Sequence, residues 1–182
     1  MRSVCVYCGS RMGENPAFRA AAVELGRGLA RAGITMVYGG GGIGLMGVCA
    51  DAALAAGGKV VGIIPHHLYA REVKHDAITE LHVVDDMHQR KRLMFDKSDA
   101  FAVLPGGIGT LDEMCEVITW RQLGQHDKPI LVIDTADYWR PFRDLIRHVI
   151  RTEFADNALT QLFTVVPDVA AALDAFSRGT PR

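Results

Sequence analysis

Pro105-Gly106-Gly107-Ile108-Gly109-Thr110-Leu111-Asp112-Glu113 puts a glycine-rich turn, a helix start and a carboxylate in one place. Glycines let the backbone approach a ligand closely, and the unpaired N–H groups of a helix's first turn attract an anion. A carboxylate just beyond can then act on whatever that anion anchors, so the chemistry suits a phosphorylated sugar. A second set, Asp86-Met87-His88-Gln89-Arg90-Lys91-Arg92, brings guanidinium and ammonium groups. Taken alone it reads equally as an Asp86/Gln89 capping box followed by a solvated basic face, just as Thr110 and Glu113 have capping-box spacing. Together the two sets surround one phosphate-ready turn. Glu113, Glu116 and Trp120 share a helix face, which suits a pocket or a subunit interface.

A third cluster, Gly39-Gly40-Gly41-Gly42-Ile43-Gly44-Leu45-Met46-Gly47, contains G-x-G-x-x-G from Gly39, Gly41 and Gly44. It follows the second apparent strand instead of the first. The third strand ends in Ile64-Pro65-His66, without an acid for a ribose hydroxyl, so a dinucleotide cofactor is disfavoured. The glycines serve either close packing or a nucleotide crevice shared with the other turn. The crevice reading takes in Gly9, Ser10, Gly40, Gly41, Gly44 and Met87.

These groups need a scaffold that brings several loops to one edge. Apolar runs of strand length at residues 4–7, 35–38, 60–64, 81–84, 100–104, 130–133 and 163–166 alternate with helical patterns. That alternation predicts an α/β fold, a Rossmann-like doubly wound parallel sheet with helices on both faces. Phe18, Ala22, Leu25, Leu29 and Ala32 form one apolar stripe before a Gly33 stop; further helices are expected at 45–56, 88–98, 110–123, 139–152 and 169–176. Residues 1–176 read as a single nucleotide-binding domain and 177–182 as a loose tail.

The 182 residues are 49% hydrophobic, enough for one core, and 20 Lys and Arg against 21 Asp and Glu leave a formal charge of -1. No global basic field invites nucleic acid, and no apolar run is long enough for a membrane span or a signal peptide. A cytoplasmic protein is expected, and its four cysteines are expected to be reduced thiols. Cys5-Val6-Tyr7-Cys8 has zinc or redox spacing but lies inside the first strand without a second ligand pair. His66-His67, on an extended segment, point apart and lack a third ligand. Neither metal nor cofactor is called for.

The chain resembles the Lonely Guy (LOG) family of phosphoribohydrolases, whose PGGxGTxxE hallmark stands unchanged at Pro105 to Glu113. The likeness extends to Cys8-Gly9-Ser10, Gly39 to Gly47, Arg71-Glu72, Met87 to Lys91, Val117-Ile118-Thr119-Trp120 and Gln122-Leu123-Gly124. It implies hydrolysis of a nucleoside 5′-monophosphate such as AMP or its N6-modified form to free base and ribose 5-phosphate, by a homodimer. It further implies Arg90 and Glu113 as catalytic residues. Substrate contacts would come from Glu72, Arg90, Lys91, Gly106, Gly107, Gly109, Thr110, Glu113 and Thr119. An apolar base pocket is expected near Met87 and Trp120. The segment Val73 to Glu80 departs from plant members, which leaves base preference open. A lysine decarboxylase would need pyridoxal phosphate on a lysine, and no lysine has that context. A nucleotide or molybdenum-cofactor-like carrier would need the glycine loops but not the Arg90 and Glu113 pair.

Overall fold

The computed structural model describes residues 1–69, 75 and 77–178. Seven strands form one sheet: β1 (Ser3–Tyr7), β2 (Thr35–Tyr38), β3 (Val60–Pro65), β4 (Glu80–Val84), β5 (Ala100–Val103), β6 (Ile130–Ile133) and β7 (Thr164–Val166). Their order is β4-β3-β2-β1-β5-β6-β7 and every pairing is parallel. Strands therefore leave β1 in both directions, and the winding reverses between β1 and β5. The apolar runs without alternation are explained by this arrangement, because both faces of the central strands are covered.

The covering helices are α1 (Pro16–Arg31), α2 (Gly44–Ala55), α3 (His66–Tyr69), α4 (Met87–Asp96), α5 (Ile108–Gln122), α6 (Arg140–Arg151) and α7 (Val169–Arg178). Alternation along β1 assigns the two cores. Val4, Val6 and Cys8 pack with Leu25 and Leu29 of α1, Cys49 of α2 and Phe176 of α7. Cys5 and Tyr7 pack with Met94 of α4, Met114 of α5 and Phe142 of α6.

Helix α1 starts where Asn15 accepts from the Ala17 N–H at 2.9 Å, with Pro16 in the first turn. It stops at Gly33, whose φ of 68° only glycine adopts without strain. The N–H groups of Gly33 and Ile34 turn back to the carbonyls of Ala30 and Leu29.

Several elements depart from the sequence reading. Helix α5 begins at Ile108 with Gly107 as its N-cap, so Thr110 lies inside the helix and no Thr110/Glu113 capping box forms. Half of the other box survives. Asp86 accepts from the Gln89 N–H at 2.8 Å, but the Gln89 side chain accepts from Asp85 N–H instead of closing on Asp86. His66 and His67 sit on the short α3 turn, not on an extended segment. Two 3₁₀ turns, Thr135–Asp137 and Asn157–Gln161, had no clear periodic signal, and α7 continues to Arg178.

Candidate active site

A cavity of about 580 Å³ opens at the C-terminal ends of β1 and β5, where the winding reverses. Open α/β sheets bind ligands at such a switch point because adjacent loops there diverge to opposite faces. Cys8, Gly9, Ser10 and Arg11 line it from the β1 side, and Pro105 to Thr110 line it from the β5 side. Met87, Arg90, Asp112 and Glu113 complete the polar and sulfur-bearing wall. Phe18, Leu45, Leu68 and Tyr138 add apolar surface.

The two glycine clusters do different work. At α2, Gly9 O accepts from the N–H groups of Leu45 (3.0 Å) and Met46 (3.3 Å), which satisfies donors that could otherwise hold an anion. A Cβ on Gly44 would fall 2.2 Å from the Ser10 backbone, and one on Gly47 would fall 2.2 Å from Gly42 O. Close packing is therefore the role of Gly44 and Gly47. At α5, no side chain caps the first turn, and Gly107, Gly109 and Thr110 stand on the cavity wall. Gly106 is required by Thr110, whose Oγ1 would lie 2.1 Å from an added Cβ.

The three consecutive basic residues of α4 part company. Arg90 is 5% exposed on the cavity wall, its Nη2 donating to Gly39 O at 2.9 Å and its Nη1 to Met87 Sδ at 3.7 Å. A Cβ on Gly39 would fall 1.9 Å from that Nη2, so the glycine makes room for the guanidinium. The Lys91 side chain, 12% exposed, is held between Asp112 and Glu116, each at 3.1 Å. Burial pulls the Lys91 ammonium down, but these two carboxylates outweigh it and leave the pKa raised. Arg92 is solvent-exposed and paired with Asp96 at 3.0 Å. A buried charge costs much unless it is bonded, so the one guanidinium carried inward marks the site.

Glu113 faces the same cavity. Its negative charge reaches the strand beneath: burial first, and Glu113 second, hold the Cys5 thiol well above its ordinary value. Cys8 is raised by burial, then by Cys49 and Glu113. Cys5 and Cys8 are therefore buried protonated thiols, without the thiolate character of a redox pair.

Among the sequence candidates, the cavity gathers Gly9, Ser10, Met87, Arg90, Gly106, Gly107, Gly109, Thr110 and Glu113. Gly40, Gly41, Gly44, Lys91 and Thr119 are not among its lining residues. Gly40 accepts from the His75 N–H at 3.4 Å, and Thr119 Oγ1 donates to Cys115 O on the exposed side of α5. Glu72 lies outside the described residues. Trp120 does not reach the cavity; it packs edge-on against Phe95, with ring centroids 5.0 Å apart. Phe18, Tyr138 and Leu68 were not anticipated as wall residues. Leu68 and Tyr138 each follow a strand end, β3 and β6, a position that does not by itself separate wall residues from other loop residues.

Among the described residues, no group of three or more His, Cys, Asp or Glu could hold a metal ion. No helix among them is long and apolar enough to cross a membrane. No described lysine lines the cavity.

Residues 46–176 match a family described as possible lysine decarboxylase. The chain is 44% identical over 175 residues to the cytokinin riboside 5′-monophosphate phosphoribohydrolase of Rhodococcoides fascians, covering 96% of this chain and 88% of that one. It is 46% identical over 166 residues to the Oryza sativa enzyme of the same name, covering 91% and 69%. Among solved structures, the molybdenum cofactor carrier protein of Chlamydomonas reinhardtii shares the fold at TM-score 0.72 and 20% identity, covering 97% of this chain and 96% of that one.

Proposed function

The chain belongs to the cytokinin riboside 5′-monophosphate phosphoribohydrolase (LOG) family, and we propose that it hydrolyses the N-glycosidic bond of adenosine 5′-monophosphate or its N6-modified forms. The products are free base and ribose 5-phosphate. The observation that carries this reading is the convergence of buried Arg90, Glu113 and the open first turn of α5 on one cavity at the switch point.

Cleaving the bond from C1′ to the base builds oxocarbenium-like positive charge on the sugar and negative charge on the leaving base. Glu113 stabilises the sugar cation and orients or deprotonates the attacking water. Arg90 holds the substrate and offsets developing negative charge; a guanidinium does not release its proton at neutral pH, so its part is electrostatic. Gly106, Gly107, Gly109 and Thr110 receive the 5′-phosphate through backbone and hydroxyl donors. Phe18, Leu45 and Leu68 offer apolar surface for the base. A carrier would have no need of a carboxylate and a guanidinium on the same cavity wall.

The working unit in this proposal is a cytoplasmic homodimer of single nucleotide-binding domains. On α5 and its C-cap Leu123, residues Ile108, Asp112, Cys115, Thr119 and Leu123 follow helical spacing along the outer face, and Ile108 is 82% exposed. Ile108 also lines the cavity, so a second copy seated there would meet the site. The chemistry is tested by incubating purified protein with AMP and with N6-isopentenyl-AMP and separating the products. Free base and ribose 5-phosphate in equal amounts are expected; intact nucleotide in both reactions would overturn the hydrolase.

A further inference from the structure

Both carbonyls of the Pro105-Gly106 turn are held from outside it. Pro105 O accepts from the Gly9 N–H at 3.0 Å, and Gly106 O accepts from the Tyr138 hydroxyl at 2.5 Å. A peptide group is planar, so fixing the Gly106 carbonyl also fixes the direction of the Gly107 N–H in the same plane. That peptide is flanked by two glycines, the residues that least resist a peptide flip. A flip would turn the Gly107 donor away and present a carbonyl oxygen to an incoming anion.

Tyr138 is placed at a backbone cost. The loop after β6 carries two consecutive non-glycine residues in the left-handed region, Ala136 (φ 56°) and Asp137 (φ 57°). Neither has the glycine's freedom to adopt that conformation without cost. The loop is tied at Asp134, which accepts from the Trp139 N–H at 2.7 Å and pairs with Arg143 at 3.0 Å. Arg143 also bonds Asp137. The Tyr138 ring is fixed edge-on between Phe18 and Trp139, at centroid distances of 5.4 and 4.9 Å. Strain of this kind persists where the surroundings hold a side chain at a particular point.

We propose that Tyr138 is a positioning residue for the phosphate-binding turn: its hydroxyl locks the Gly106–Gly107 peptide so that the first turn of α5 presents its donors to the 5′-phosphate. This rests on the nucleotide reading of the cavity and adds a residue from a third loop to it. It acts through Gly106 rather than on the bond that breaks. Its loss therefore weakens recognition of the phosphate and leaves that of the nucleoside alone.

The test is titration calorimetry of wild type and Tyr138→Phe with AMP and with adenosine, alongside base release. Phe keeps the ring against Phe18 and Trp139 and removes only the hydroxyl. The expected result is AMP affinity lowered about tenfold with adenosine affinity unchanged. An unchanged AMP affinity, or an equal loss for both ligands, would overturn the proposal. Thermal melting checks that Tyr138→Phe is folded. Asp134→Asn, which loosens the loop without touching Tyr138, is expected to reproduce the AMP-selective loss in part; an equal loss for both ligands there too would count against it. A wild type that binds AMP without releasing base would remove the hydrolase while the AMP and adenosine comparison still decides Tyr138. A wild type that binds no AMP would overturn both.

Discussion

At the residue scale, the site depends on where three adjacent cations go. Periodicity alone assigns Arg90, Lys91 and Arg92 equally to a helix surface, yet only Arg90 turns inward, through the gap left by Gly39. Two expectations follow. Arg90→Ala lowers base release about 10²- to 10³-fold, the usual loss when one preorganised charge-stabilising donor is removed, whereas Arg92→Ala stays near wild type; steady-state kinetics check both. Gly39→Ala, at a position off the cavity wall, displaces the guanidinium. Turnover should fall on the order of 10²-fold, as for a misplacement of about 1 Å, with about 1–3 kcal/mol lost from overpacking. Full activity in the Gly39→Ala variant would show that the Arg90 to Gly39 contact does not matter. Motifs and the family likeness pointed to Glu113, Arg90 and the turn at Gly106 and Gly107 as cavity residues, but also to Gly40, Gly41 and Gly44, which lie off its wall. Phe18, Tyr138 and the remoteness of Trp120 were not legible, since these follow from packing between elements distant in sequence.

At the element scale, the central strands were readable because buried parallel strands leave apolar runs, the half-exposed edge strands β4 and β7 by their β-branched residues, and the end of α1 by Gly33. Helix starts were less readable. Thr110 mimicked an N-cap, but the cap is Gly107, three residues earlier, which carries Thr110 into the helix, where it is 4% exposed. The strand ends opposite the cavity carry their own tie. Asp99 accepts from the N–H groups of Arg2 (2.8 Å) and Ser3 (3.1 Å), joining β1 to β5. Burial pushes the Asp99 carboxyl up, but these bonds outweigh it and leave its pKa below the ordinary value. Its contribution is therefore complete above the unfolded pKa of about 3.9 and fades as pH falls through the lower folded value. Asp99→Ala is expected to cost about 1–2 kcal/mol at pH 7, with the gap from wild type closing below about pH 4. Thermal melts across pH would show this, and a gap independent of pH would contradict it.

At the scale of the whole molecule, reversal of winding between β1 and β5 brings the loop after β1 and the glycine turn after β5 to one site, while the cluster from Gly39 to Gly47 serves packing. The β1 loop does double duty. Gly9 accepts from the start of α2 and donates to Pro105, so this loop closes one helix end and steadies the turn before the other. The proposed homodimer comes from the likeness to the family, and within the chain we place its contact on the exposed outer face of α5. Sedimentation velocity should give twice the 19.8 kDa chain mass, and Leu123→Lys should shift the protein toward monomer. Cys115, exposed on that face while the other three cysteines are buried, should react faster with a thiol reagent in that variant. Equal reactivity and unchanged mass would place the contact elsewhere.

The most direct measurement is base release and nucleotide affinity in Glu113→Gln, made on the same preparation as wild type. The exchange keeps the side chain's shape and removes its charge. Release is expected to fall by about 10³-fold or more, with AMP affinity within about threefold of wild type. Turnover within tenfold of wild type would remove Glu113 from the chemistry and, with it, the assignment of this cavity as the hydrolytic centre.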